Sequence, residues 1–335
     1  MTATKAVLAF CVCFVLLLAF YHRESLISLH EQLRLKTTSI NMWEDKEQVG
    51  TLKELLQKAE MRNGGEKTVI FTSVNAAWAE PGSLLEILLE SFKLLKNSRT
   101  QEVDFLKHLI VLAFDHKAYE RCVEVHPLCY QVRTDGIDFS SAKPYMSHDY
   151  VKMMWRRIEF LNNVLAMGYS FIFSDADIIW LRNPFPLLLP SRDFEITTDR
   201  YNGNPNSHDN APNGGYTFAR SNKRTIKFYK FWYDSRLKYP IKHDQDVFIE
   251  IRHNKTMKDI GVNVGYLDTK FFASFCSYSV YHMNLAATIH ANCCNGLHNK
   301  IRNLKMLLDD WKHFNIDNQT QRVWQRPNGC TLKPV

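Results

Sequence analysis

Nowhere in its 335 residues does the chain carry a run of five or six like charges, an internal repeat, a low-complexity tract or a Cys-x-x-Cys pair. Each absence removes a class. The net charge of +7 is spread along the chain, so there is no basic arm of the kind that binds nucleic acid. The lack of repeats leaves one packed domain rather than an array, and 45% hydrophobic against 23% charged residues is enough to bury one large core. Without Cys-x-x-Cys, and with Cys293 and Cys294 adjacent, the cysteines have poor spacing for a tetrahedral zinc site.

One long apolar run is present, Ala6 to Tyr21 with Lys5 just ahead of it. As a helix it spans about 24 Å, short for an average bilayer but suited to a thin early-secretory membrane. No small-x-small cleavage pattern surrounds Leu18, Ala19 and Phe20, which favours a retained signal-anchor over a cleaved signal peptide. With the bulk of the chain beyond it, the expected topology is single-pass type II. The expected organisation is a cytoplasmic tail 1–5, an anchor 6–21, a stem 22–65, a catalytic domain 66–325 and a tail 326–335. Leu26, Leu29 and Leu33 lie on one helical face of the stem, where a dimerising coiled coil is a further expectation. Six of the eight cysteines lie beyond the anchor; Cys122 and Cys129 close a short loop that suits a disulfide in an oxidising lumen, and the connectivity of the others stays open. Sequons at Asn254 and Asn318 fit lumenal exposure.

The breaker Asn63-Gly64-Gly65 precedes a β-branched run, Thr68 to Val74. A capping-box pattern at Ser83 and Glu86 then opens a helix, and Leu109 to Phe114 is a second strand ending at Asp115. A long helix over 147–167 and the breaker Gly168 lead into the strand Phe171 to Ser174, which runs straight into Asp175. Later strand candidates are Phe194 to Thr198, Tyr216 to Ala219 and Val264 to Leu267, with helices over 223–237 and 300–311. Strands alternating with helices predict an α/β fold with a mixed, mostly parallel sheet covered by helices, and ligands at the carboxyl ends of its strands.

Asp175-Ala176-Asp177 puts two carboxylates at the end of a buried strand. Facing the same way, they repel unless a cation neutralises them, which predicts a hard divalent metal, Mn²⁺ or Mg²⁺. Two other readings compete: solvated turn aspartates, and a phosphohydrolase with Asp175 as nucleophile. The second normally has its motif at the start of a domain and a Thr where this chain has Ile178-Ile179.

Four segments in order, Asp175 to Pro184, Asn213 to Phe218, Asp244 to Phe248 and His290 to Gly296, resemble the plant-type nucleotide-diphospho-sugar transferases, the family-77 glycosyltransferases, over about 68–311. The resemblance implies a GT-A fold, manganese dependence, Golgi residence and transfer with retention from a UDP-linked sugar to a cell-wall polysaccharide or glycoprotein. The sugar that the resemblance implies is a pentose such as xylose or arabinose, or galactose. It further implies Asp175, Asp177 and His290 as metal ligands, with His298 as the substitute for His290. Lys300 would hold the diphosphate, Asn213 and Gly214 the sugar, and Arg157 (in preference to Arg156) the donor. Thr72 and Asn75 would lie at the nucleoside end, and Asp244 and Gln245 near the anomeric carbon as catalytic groups. A catalytically silent partner of another transferase is the remaining alternative.

Overall fold

The computed structural model describes residues 46–96, 103–132, 147–316 and 324–330. The expected anchor, most of the stem and Asn318 lie outside these residues. Among the described residues no helix is long and apolar enough to cross a membrane. The chain divides into two units, Met1–Gly50 with Leu237–Pro240, and Thr51–Arg236 with Ile241–Val335. Both sheets and the site belong to the second.

In chain order the elements are α1 (Lys46–Ala59), β1 (Met61–Asn63), β2 (Glu66–Val74), α2 (Ala76–Ala79), α3 (Leu84–Lys96), β3 (Leu109–Ala113), α4 (His116–Val125), β4 (Cys129–Gln131), α5 (His148–Ala166), β5 (Ser170–Ser174) and β6 (Ile178–Trp180). They continue with β7 (Phe194–Arg200), β8 (Ala211–Ala219), α6 (Lys223–Ser235), α7 (Asp244–Ile251), α8 (Lys255–Ile260), β9 (Val264–Tyr266), β10 (Phe272–Ser274), β11 (Thr288–His290) and α9 (Leu297–Ile316).

The large sheet has the order β4-β3-β2-β5-β8-β7-β9, with β1 folded back on β2. Strands β4, β3, β2 and β5 are parallel, β8 is antiparallel to β5 and β7, and β9 is parallel to β7. This is the mixed, mostly parallel α/β sheet predicted above. Strands β3 and β5 are buried at every residue, as covering both faces of a parallel sheet requires. A small second sheet, β10-β11-β6, begins in chain order with β6 at Ile178, three residues past Asp175. The chain thus crosses from one sheet to the other within the Asp-x-Asp segment.

Caps set the entry points of the helices around the site. Ser147 accepts from the Tyr150 N–H and opens α5, which ends at Ala166 and is followed past its cap Met167 by Gly168 with φ of 87°. Asp115, at the carboxyl end of β3, is spent on caps: Oδ1 accepts from Ala118 N–H at 2.9 Å and Oδ2 from Ala76 N–H at 2.8 Å. The Ser83 and Glu86 pair is not used as a capping box, because Glu86 accepts from the Gly82 N–H and Ser83 donates to the Ala77 carbonyl. Glu86 is drawn away by Arg121, with which it forms an ion pair.

Packed chain begins upstream of the breaker at 63–65, where the sequence puts the stem. Leu52, Leu56 and Ala59 of α1 have no exposed surface, and the Ala59 carbonyl meets His108 Nδ1 at 2.8 Å. Toward the other end, the expected tail is tied in by Cys294–Cys330, beside Cys276–Cys293 and the anticipated Cys122–Cys129.

Candidate active site

Asp175 leaves the end of β5 and is fixed there by its N–H, which donates to the Gly215 carbonyl on the neighbouring β8 at 2.7 Å. Asp177 comes just before β6, and its carbonyl accepts from Ala291 N–H at 3.0 Å. That bond sets Asp177 beside His290, the last residue of β11, whose register partners are Ser274 and Ile178. One ligand atom from each of Asp175, Asp177 and His290 falls within 4.8 Å of the others. His290 Nε2 is 3.2 Å from Asp177 Oδ1 and 4.0 Å from Asp175 Oδ2. The ε-ammonium of Lys300, one turn into α9, pairs with Asp177 Oδ2.

Asp177 is 1% exposed, and its Oδ1 is buried without a hydrogen bond of acceptable geometry. A buried carboxylate oxygen left in that state costs free energy. Two carboxylates and an imidazole nitrogen converging on one point are a donor set that fits a divalent cation. His298, the substitute ligand, is exposed and is not among the converging groups.

Charge in the site is strongly coupled. Burial alone would raise the pKa of Asp177, but Lys300 and His290 hold it well below the usual carboxylate range. Burial pushes Asp175 up, with Arg157 opposing and the charge of Asp177 adding to the rise. For His290 burial works against protonation, yet Asp177 and then Asp175 raise its pKa.

Behind the aspartates, Arg157 of α5 lies over the Phe173 ring at 4.5 Å and uses both ends of its fork inside the protein. Nη1 donates to Asp175 Oδ1 at 3.0 Å and Nη2 to Asp244 Oδ2 at 2.6 Å. In the structure Arg157 bridges the two carboxylates. Arg156 turns away to Glu159. Asp244, 2% exposed, opens α7 behind its cap His243, which accepts from the Gln245 N–H. Burial disfavours the Asp244 charge, but Arg157 and His243 bring its pKa down to about 2. Gln245 Oε1 accepts from the Gly214 N–H at 2.9 Å.

Gly215 is glycine for space: a Cβ there would overlap His290 Cε1 and lie 2.8 Å from Asp175 Oδ2. Asn213 is engaged at both ends, accepting from Gly215 N–H and donating to Asp199, each at 2.9 Å. Thr72 is fully buried in β2 with a hydroxyl that makes no hydrogen bond, and Asn75 caps α2 by accepting from the Trp78 N–H. Trp78 itself reaches the site, its ring 5.8 Å from Lys300 Nζ.

Asp199, His243 and Trp78 were not singled out from the sequence, and Asn292 only within the His290 to Gly296 segment. His243 carries a signal in hindsight, since a polar residue directly before a helix-opening Asp is a cap candidate. The roles of the other three are reached only through strand pairing and side-chain contacts.

The sequence profile described as Nucleotide-diphospho-sugar transferase matches residues 104–304. An uncharacterized Arabidopsis thaliana protein is 44% identical over 271 residues, 79% of this chain and 70% of that protein. The Arabidopsis UDP-D-xylose:L-fucose alpha-1,3-D-xylosyltransferase 3 is 29% identical over 117 residues, 34% of this chain and 30% of that one. Among solved structures, mouse xyloside xylosyltransferase 1 shares 14% identity over 68% of this chain and 98% of that chain, with a TM-score of 0.40. With that profile covering more than half of the chain and a relative at 44% identity, this protein belongs to the nucleotide-diphospho-sugar transferase family and is a glycosyltransferase.

Proposed function

We propose that this glycosyltransferase uses a divalent cation, Mn²⁺ or Mg²⁺, held by Asp175, Asp177 and His290, to bind a UDP-linked sugar and pass it on with retention at the anomeric carbon. The observation that carries the reading is the buried Asp177 Oδ1 without a hydrogen bond, facing His290 Nε2 at 3.2 Å. When bound, such an ion supplies Lewis-acid stabilisation of the diphosphate leaving group. Lys300, at the edge of the same cluster, adds a point charge for the diphosphate oxygens. Arg157 is spent on orienting Asp175 and Asp244. Asp244 stays ionised and fixed, a negative charge suited to an oxocarbenium-like centre. The polar atom left to orient a sugar or an incoming hydroxyl is Gln245 Nε2, because its Oε1 is committed to Gly214. Gly214, whose missing side chain faces Arg157, Gln245 and Asp244, leaves room for the ligand beside those groups.

Family membership sets aside the phosphohydrolase alternative with Asp175 as nucleophile. The relatives named as xylosyltransferases and as a beta-arabinofuranosyltransferase support a pentose donor over galactose, and the acceptor proposed with it is a cell-wall polysaccharide or glycoprotein. Three disulfides support folding in an oxidising compartment, consistent with a type II Golgi protein anchored through residues 6–21.

Calorimetric binding of UDP to the purified full chain, with and without Mn²⁺, tests the site. Tight binding only with metal, weakened about 100-fold or more in Asp177→Ala, is expected, since loss of a ligand removes both charge and geometry. Equal binding with and without the ion would return weight to a catalytically silent member of the family.

A further inference from the structure

The metal-binding residues come from two different sheets, Asp175 from the large one and His290 from the small one, so the spacing between the sheets sets the spacing of the ligands. We propose that Asp199, with Asn292 and Asn213, is the clamp that fixes this spacing, a positioning role that rests on the metal reading above.

Asp199 sits where β7 departs from its partner: Thr198 pairs with Pro212 and Arg200 with Ala211, leaving Asp199 out of the ladder at a register shift. Such irregularities re-aim a side chain. Its Oδ1 accepts two amide N–H groups, from Asn213 Nδ2 at 2.9 Å and from Asn292 Nδ2 at 2.6 Å. Each asparagine is held at its other end as well. Asn213 Oδ1 takes the N–H of Gly215, the residue packed against His290 and Asp175. Asn292 Oδ1 takes the Phe275 N–H at 3.0 Å, just past β10. Neither amide can flip without setting oxygen against oxygen and N–H against N–H, so the orientation of the network is determined.

The result is one polar link from β8 through Asp199 of β7 to the turn two residues after His290. Asp199 lies close enough to His290 for the imidazole to act on its charge, but the clamp works through hydrogen bonds rather than through that charge. Groups of this kind around metal ligands hold ligand orientation, and their loss typically weakens metal binding 10–100-fold.

The test is calorimetric titration of the purified full chain with Mn²⁺ alone, for the native protein, Asp199→Ala, Asp199→Asn and Asn292→Ala, with thermal melting of each metal-free protein. Asp199→Ala and Asn292→Ala are expected to bind Mn²⁺ about tenfold or more weaker, while Asp199→Asn, which keeps an oxygen for both amides, stays within about threefold of native. In assays the alanine variants should need more Mn²⁺ for half-activation but keep kcat at saturating metal. Native-like affinity in both alanine variants overturns the clamp and leaves the metal reading standing. A loss in Asp199→Asn equal to that in Asp199→Ala also overturns it, by placing the effect in the charge. If the native chain binds no Mn²⁺, the clamp and the metal reading fall together. Should Asp199→Ala not melt cooperatively, Asn292→Ala decides, because it removes the same link from the other sheet.

Discussion

Gly215 and Glu195 show how single positions are fixed by space and by burial. At Gly215 the missing side chain is the space that His290 and Asp175 occupy. Gly215→Ala is therefore expected to push the imidazole off the cluster and cut kcat/KM about 100-fold, the scale of a 1 Å misplacement. Steady-state kinetics beside a melting curve separates that from a loss of fold. Glu195 lies on β7, 2% exposed, with both carboxyl oxygens near the Leu189 N–H. Burial pushes its pKa up to about 7, against the pull of Leu189, Arg220 and Arg192. Because the folded value lies above the unfolded one, its stabilising contribution is fully present below pH of about 4.5 and is lost as pH rises through about 7, a change of up to about 3 kcal/mol. Glu195→Gln should flatten the decline in melting temperature between about pH 5 and pH 8 and melt higher than native at the alkaline end. A native curve as flat as that of the variant would contradict the assignment.

Helix α1 gives the clearest expectation among the elements. Leu52, Leu56 and Ala59 are fully buried and Leu55 nearly so, and β1 pairs with β2 through Met61, Arg62 and Asn63. Deleting residues 1–65 should cost about 5 kcal/mol relative to deleting residues 1–45, from the lost apolar burial alone. Denaturant melts of the two fragments measure the difference, and equal midpoints would show α1 to be dispensable. The sequence could not place this boundary, since Leu52, Leu55 and Leu56 have helical spacing whether or not a core receives them. Where patterns were long, sequence and structure agree closely: α5 occupies His148–Ala166 and β5 occupies Ser170–Ser174, bounded by Ser147 and Gly168, whose conformational roles are local. The three-residue strands β6, β10 and β11 carry too little alternation to be read and exist through pairing with one another. The site divides along the same line. Asp175, Asp177, Asp244 and His290 stood out through local motifs, whereas Asp199 and Asn292 gain meaning only once β7 and β11 are brought together, and the commitment of Arg157 to two carboxylates needed its partners to be placed.

For the molecule as a whole, a cation and a nucleotide held across the two sheets as proposed above would add their binding free energy to the docking of one sheet on the other. At ligand near 100 times its Kd this is about 2.7 kcal/mol, or roughly 5 °C in melting temperature for a domain of this size. UDP with Mn²⁺ should produce that shift, and UDP with a chelator should not; differential scanning calorimetry distinguishes the two. Adjacent half-cystines have a consequence of another kind. Cys293 bonds to Cys276 and Cys294 to Cys330, so an exchange of partners between neighbours yields an isomer with the same number of bonds and the turn after His290 shifted by one residue. Host choice for producing the enzyme thus bears on the turn that follows His290: in a cell that forms disulfides without an isomerase, a mixture is expected whose soluble yield overstates its correctly paired fraction.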